Sequence, residues 1–273
     1  MIFNPMALNI EENSVGIDNT HMDYVAFGRG QQPFVILPGL SDGLKTVKGQ
    51  AVALAFYCRQ FTKDFRVYVF SRKNELEESY STRDMARDQN AALERLEIEK
   101  AYVMGVSQGG MIAQHLAIDF PHSVEKLAIA VSIARQNEII QRVVKSWINL
   151  AKAGDYRSLV IDTMEKTFTD KHLRLYRPLY PVISRIGKPP SFTRFLIQAS
   201  ACLTHDAYQE LGTIQCPTLV IGGDCDRVAG KGTSQEIAAS IKHSQLVLYK
   251  GLGHGAYEEA KDFNQQVKEF LRS

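Results

Sequence analysis

The chain has 273 residues, 45% of them hydrophobic, so it can bury the core of one α/β domain, with or without a large insertion. Its 32 Lys and Arg residues nearly balance its 30 Asp and Glu residues, and no apolar run approaches the roughly 20 residues of a membrane span, so we expect no nucleic-acid or membrane partner. The four scattered cysteines have no CxxC pairing and are typical of reduced thiols, so we expect a cytoplasmic protein.

Short apolar runs alternate with helical patterns along the first half of the chain. Residues 1–14 lack the basic and apolar regions of a signal peptide, and residues 21–27 are the better candidate for an antiparallel edge strand. Apolar strands are then predicted at residues 34–37, 66–70, 101–105 and 127–132, separated by helices at 47–61, 81–96 and 108–120. The second helix begins with a capping box formed by Ser81 and Asp84. This pattern predicts a buried, mostly parallel sheet with helices on both faces.

The alternation stops between residues 133 and 198, where the sequence is helical and interrupted by Pro and Gly. It resumes with strands at 217–223 and 245–249 and helices at 234–241 and near the C-terminus. We therefore predict a core domain formed by residues 1–132 and 199–273, with residues 133–198 inserted and packed over the sheet.

A candidate nucleophile lies where the strand at 101–105 meets the following helix. The segment from Gly105 to Gly109 reads G-x-S-x-G with Ser107 at its centre, and this motif places a serine on a sharp strand-to-helix turn. The small glycines allow strand and helix to approach, and the helix N-terminus offers unpaired N–H groups to an oxyanion. A chance match to this short motif is the alternative, and its strand–helix context argues against it.

A base and an acid follow the last two strands. His254 lies in a glycine-rich loop after the final strand, at the same edge of the sheet as Ser107, where it can accept the Ser107 proton. The alternative is an ordinary exposed or capping histidine. Asp224 and Asp226 both follow the penultimate strand, and either can hold the His254 ring in place. Spacing alone does not choose between these two carboxylates.

In the order and position of these three elements, the chain from about residue 21 onwards resembles the α/β-hydrolase superfamily. The resemblance implies the α/β-hydrolase fold with a helical cap, and a triad of Ser107, Asp226 and His254, because the acid of that family lies three residues after a strand-ending glycine such as Gly223. The acid that follows the family's histidine corresponds to Glu258 or Glu259.

Two segments depart from the family pattern. The His-Gly pair after the third strand is replaced by Pro38 and Gly39, followed by Leu40. The resemblance still implies an oxyanion hole made of the backbone N–H groups of Leu40 and Gln108, since backbone groups do not require the missing histidine. The family's Asp-x-Arg-Gly after the fourth strand is also absent, and residues 71–74 read Ser-Arg-Lys-Asn instead.

These features predict a serine hydrolase that cleaves a small-molecule ester, thioester or lactone through an acyl-enzyme. Carbon–carbon bond hydrolysis shares the same triad. The alternatives are a non-catalytic ligand-binding or sensor protein on the same fold and a cofactor-free haloperoxidase. We expect no cofactor and no metal, a small-molecule substrate as the partner, and a monomer or homodimer.

The predicted insertion carries a positive charge. Twelve Lys and Arg residues and five Asp and Glu residues fall between residues 133 and 195, a surplus of seven positive charges. One hypothesis is that this surplus attracts an anionic substrate. The alternative is an ordinary solvated helix surface.

Overall fold

The computed structural model describes residues 8–273, so the first seven residues of the predicted core domain and of the segment searched for a signal peptide lie outside the described residues. The strands are β1 (Glu11–Ile17), β2 (Thr20–Phe27), β3 (Gln32–Leu37), β4 (Phe65–Lys73), β5 (Ala101–Val106), β6 (Val124–Ala130), β7 (Thr218–Gly223) and β8 (Ser244–Tyr249). The α-helices are α1 (Ala51–Tyr57), α2 (Thr82–Arg95), α3 (Gln108–Asp119), α4 (Glu138–Lys152), α5 (Tyr156–Thr167), α6 (Asp170–Tyr176), α7 (Tyr180–Ile183), α8 (Thr193–Thr204), α9 (Thr233–Ser240), α10 (Ala256–Glu259) and α11 (Phe263–Arg272).

Within residues 8–273, the eight strands form one sheet in the order β1-β2-β4-β3-β5-β6-β7-β8. Strand β2 pairs antiparallel with both of its neighbours, and all pairs from β4–β3 to β7–β8 are parallel. The predicted α/β-hydrolase fold, with a mostly parallel central sheet and helices on both faces, is therefore confirmed. The antiparallel strand predicted at 21–27 is present as β2, but its predicted place at the edge is wrong, because β1 pairs with its outer side and forms the edge of the sheet.

The central strands are apolar throughout because both faces of the sheet are covered. On β3, Val35 and Leu37 pack into the core on one face, while Phe34 and Ile36 pack into the core on the other. Successive side chains of a strand point to opposite faces, so a continuous apolar run fills both cores at once. Every residue of β7 is buried for the same reason.

Helix α2 begins with the predicted capping box. The Ser81 hydroxyl oxygen accepts a hydrogen bond from the Asp84 backbone N–H at 3.1 Å, and the Asp84 carboxylate accepts one from the Ser81 backbone N–H at 3.0 Å. These bonds satisfy two backbone donors that have no partner within the helix. Helix α1 is shorter than predicted: it ends at Tyr57, and turns continue to residue 64.

Five α-helices, α4 to α8, lie between β6 and β7 in the described chain. We call residues 133–204, which contain them, the helical segment. Residue 198, the predicted end of the insertion, lies within α8. The division of the chain into a core and an inserted cap stays a prediction. No helix within residues 8–273 is both long and apolar enough to cross a membrane.

Two buried histidines pack against each other where α8 ends beside α3. The rings of His115 on α3 and His205 at the end of α8 pack edge-to-face with their centroids 5.0 Å apart, and the Nδ1 atom of His205 lies 3.0 Å from the Thr82 hydroxyl oxygen. Burial lowers the pKa of His115 to about 4 and that of His205 to about 3. Both rings are therefore neutral in the folded protein at neutral pH.

Because the pKa of His115 is lowered on folding, its contribution to stability is complete above the unfolded value of about 6.5 and is lost as the pH falls towards 4. As the pH falls from about 6.5 to 4, we expect the free energy of unfolding of the wild type to fall by about 2 kcal/mol more than that of His115→Gln. Urea unfolding at a series of pH values measures this difference. His122→Gln, which changes an exposed histidine, is the control, and equal pH profiles for the two variants would contradict the prediction.

Candidate active site

Ser107 stands on a strained turn between β5 and α3. Its φ of 55° and ψ of −116° are rarely adopted by a residue with a side chain. A Cβ atom at Gly105 would overlap the carbonyl oxygen of Gly109, and a Cβ atom at Gly109 would overlap the carbonyl oxygen of Leu37. The close approach of α3 to β5 thus requires glycine at position 105, and its close approach to the end of β3 requires glycine at position 109.

A chain of two hydrogen bonds joins Ser107, His254 and Asp226. The Nδ1 atom of His254 lies 2.8 Å from the Oδ2 atom of Asp226, and its Nε2 atom lies 3.0 Å from the Ser107 hydroxyl oxygen. The side chains of His254 and Asp226 are only 8% and 4% exposed. An ionised carboxylate can only accept, so Nδ1 carries the proton and Nε2 can accept the Ser107 hydroxyl.

The two candidate acids have different surroundings. While one oxygen of Asp226 faces His254, the other accepts the backbone N–H groups of residues 228 and 229 at 2.7 and 2.8 Å. Asp224 instead accepts the backbone N–H of Gly251 at 2.7 Å, a bond that lowers the pKa of its carboxyl group. The structure therefore brings Asp226 to His254, and Asp224 joins the loop after β7 to the loop after β8.

The backbone of the loop after β3 lies beside Ser107. A Cβ atom at Gly39 would be 3.8 Å from the Ser107 hydroxyl oxygen, and the next residue, Leu40, lines the same cavity as Ser107. Gln108 is the first residue of α3, and a backbone N–H at that position has no carbonyl partner within its helix. The two backbone groups predicted for an oxyanion hole thus belong to segments that flank Ser107.

A buried ionic cluster holds these two segments together. The Arg72 guanidinium donates to the carbonyl oxygen of Pro38 at 2.5 Å and to the side-chain oxygen of Gln108 at 3.2 Å. The Arg72 backbone N–H donates to Asp42 at 3.2 Å, and Arg194 of α8 donates to the same carboxylate oxygen at 2.7 Å. We call Arg72, Asp42 and Arg194 the buried ionic cluster.

The charges of this cluster depend on one another. Burial opposes the ionisation of Asp42, but Arg194 and Arg72 together bring the pKa of its carboxyl group below the ordinary value. Gln198 of α8 also donates to Asp42, at 3.0 Å. No role for residues 71–74 can be predicted from their sequence, because a charged residue at the end of a strand gives no sign of burial. The one indication in the sequence was that residues 71–74 depart from the family's Asp-x-Arg-Gly pattern.

An apolar cavity of about 430 Å³ opens onto Ser107 and His254, within the usual size range of small-molecule sites. Leu54 and Phe61 from the core line it, and the helical segment contributes Trp147. A more polar and open depression of about 540 Å³ beside Arg135 lies away from Ser107. In the described part of the chain, no group of three or more His, Cys, Asp or Glu side chains could hold a metal ion.

The two acids after His254 also differ. Glu259 accepts a hydrogen bond from the backbone N–H of Thr169 at 2.9 Å and another from the Thr169 hydroxyl. Glu258 lines the cavity. Together with a 2.7 Å hydrogen bond from the Gly255 N–H to the Thr167 carbonyl oxygen, the Glu259 bonds attach the His254 loop to the helical segment.

Comparisons with known proteins agree with this architecture. The family model of the alpha/beta hydrolase fold matches residues 32–261. A 2-hydroxy-6-oxononadienedioate/2-hydroxy-6-oxononatrienedioate hydrolase of Pseudomonas putida is 27% identical over 270 residues, which cover 92% of each chain. The AB hydrolase superfamily protein YisY of Bacillus subtilis (strain 168) is 28% identical over 206 residues, which cover 72% of this chain and 75% of that protein.

Solved structures show the same fold. The enol-lactonase from Burkholderia xenovorans LB400 superposes with a TM-score of 0.81 at 21% identity, covering 96% of this chain and 100% of that chain. MGS-M2, an alpha/beta hydrolase enzyme from a deep-sea metagenome library, gives a TM-score of 0.83 at 20% identity over 96% of this chain and 98% of its own. At these identities the likeness concerns the fold alone.

We expect Arg72→Met to lower the free energy of unfolding by about 3 kcal/mol, because it removes one partner from a buried group of charges. Urea unfolding measures the loss. Arg142→Met, at an exposed position of α4, is the matched control. If the two variants were equally stable, the buried ionic cluster would contribute nothing to stability.

Proposed function

This chain belongs to the α/β-hydrolase fold family, and from that premise we propose that it is a serine hydrolase cleaving a small-molecule ester, thioester or lactone. The observation that carries the proposal is the position of His254 between Ser107 and Asp226, within hydrogen-bonding distance of both. An alcohol, an imidazole and a carboxylate in this order form the arrangement that converts a serine into a nucleophile.

In the first half of the reaction, the Ser107 oxygen attacks the substrate carbonyl carbon while His254 Nε2 takes the hydroxyl proton. Asp226 stabilises the imidazolium ion that forms. The negative charge on the former carbonyl oxygen is stabilised by the backbone N–H groups of Leu40 and Gln108. Collapse of this intermediate breaks the bond from the carbonyl carbon to the leaving oxygen or sulfur, which takes its proton from His254, and leaves an acyl group on Ser107. An ester or thioester releases its alcohol or thiol at this step, whereas the hydroxyl group of an opened lactone stays attached to the acyl group.

In the second half, water replaces the leaving group. His254 removes a proton from the water molecule as it attacks the acyl carbon, and returns that proton to the Ser107 oxygen when the acid is released. Every step uses only substrate, water and groups of this chain.

The cavity supports a small-molecule substrate with a substantial apolar part. The helical segment supplies Trp147, Thr163 and Thr167 to its wall, while the core supplies Ser107 and His254. This shared lining supports our proposal that residues 133–198 form a cap over a core made of residues 1–132 and 199–273.

We expect a serine-directed fluorophosphonate to label Ser107 alone, and Ser107→Ala to lower kcat for nitrophenyl esters by roughly 10⁴- to 10⁶-fold. Mass spectrometry of the labelled peptide and steady-state kinetics measure the two effects. Ser158→Ala, in the helical segment, is the control and should be labelled and active like the wild type. Ligand binding without labelling or turnover would favour the sensor alternative.

We expect Asp226→Asn to lower kcat by about 10⁴-fold, because an amide at this position favours the wrong tautomer of His254. Asp224→Asn should change kcat less than tenfold, since its carboxylate bonds to the Gly251 backbone. The same ester assay compares the two variants, each of which removes one negative charge from the wild type. A larger loss in Asp224→Asn would overturn the assignment of the acid.

A further inference from the structure

The cavity beside Ser107 is lined without any Lys or Arg side chain from residues 8–273, although the helical segment that covers it is rich in both. Its wall is mainly apolar, its polar side chains apart from His254 and Glu258 are neutral, and Glu258 contributes a carboxyl group. A buried carboxylate on a ligand requires a cation or several hydrogen-bond donors to replace its hydration. The composition of this wall therefore bears directly on the charge of the substrate.

The basic residues of the helical segment lie elsewhere. Ten of the twelve are exposed on the outer surface, and the other two, Lys166 and Arg194, are half-buried and paired with Asp162 and Asp42. The positive surplus found in the sequence is thus exposed to solvent or paired with carboxylates. It supplies no partner for an anionic group inside the cavity.

Glu258 occupies a position between protein and cavity. Surrounding protein atoms raise the pKa of its carboxyl group above the ordinary value, while His172 and the Tyr257 hydroxyl act in the opposite direction. The residue is exposed to solvent and also lines the cavity. Its neighbour Glu259 is held by Thr169, and of the two acids only Glu258 lines the cavity.

Resting on the proposed hydrolase function, we propose that this cavity selects substrates whose bound part is uncharged and rejects those that carry a carboxylate there, with Glu258 as a specificity-determining residue. The substrate named for the Pseudomonas putida relative is a dioate, which carries two carboxylates. By this proposal the chain shares the fold of that relative but acts on a different class of substrate, such as neutral esters or lactones with apolar acyl groups.

The test uses two 4-nitrophenyl esters of equal size, one with an acyl chain ending in a carboxamide and one ending in a carboxylate. At pH 8, we expect kcat/KM of the wild type to be roughly 100-fold higher for the carboxamide ester. Glu258→Gln removes the like charge and keeps the shape, so it should raise kcat/KM for the carboxylate ester about tenfold and leave the carboxamide ester nearly unchanged. Glu138→Gln, an exposed substitution of the same type on α4, should leave the preference unaltered.

Equal turnover of the two esters, a preference for the carboxylate ester, or an unaltered preference in Glu258→Gln would overturn the proposal. Binding of both esters to Ser107→Ala, measured by competition calorimetry, gives the same comparison without turnover. A carboxamide preference in binding together with no turnover by the wild type would refute the hydrolase proposal and support the selectivity. Turnover that depends on Ser107 but shows no preference between the two esters would support the hydrolase proposal and refute the selectivity.

Discussion

The contact between strand β5 and helix α3 is the constraint on which the site depends. Helix α3 approaches β5 and the end of β3 so closely that side chains are excluded at Gly105 and Gly109, and Ser107 at the turn has a positive φ. Packing on both sides of the turn maintains this strain, which a free peptide would release. Ser107 is consequently fixed relative to the sheet, and His254 and Asp226 must lie at the same edge of the sheet to contact it in sequence.

The parallel pairing of the strands places His254 and Asp226 at that edge. Strands β5, β7 and β8 end at the same edge, so the loops that follow them carry Ser107, Asp226 and His254 to one place although the residues are far apart in the chain. The buried ionic cluster adds a second level of order, because it joins the loop after β3, the start of α3 and helix α8 through charged hydrogen bonds. The strand order thus brings the three loops to one edge of the sheet, and the hydrogen bonds of the buried ionic cluster then hold the neighbouring segments in place.

Sequence patterns with a local physical cause were predictive. The capping box at Ser81 and the glycine-flanked Ser107 both follow from contacts between residues close in the chain, as do the apolar strands. The choice between Asp224 and Asp226 required a resemblance, because both follow the same strand and only loop conformation separates them. The burial of Arg72 could not be predicted from the sequence. Its partners include Asp42 and Arg194, which are distant in sequence, and no neighbouring residue indicates that its guanidinium is buried. Charge counting found the positive surplus of the helical segment but not the surface on which it lies.

The bonds from the His254 loop to the helical segment have a mechanical consequence. Gly255 donates to Thr167, and Glu259 accepts from Thr169, so the junction between α5 and α6 is attached to the loop that carries the imidazole. Any displacement of this junction that widens the cavity for an incoming molecule must either break these bonds or pull the imidazole away from its partners. The position of the junction between α5 and α6 and the position of the imidazole are therefore coupled in this protein.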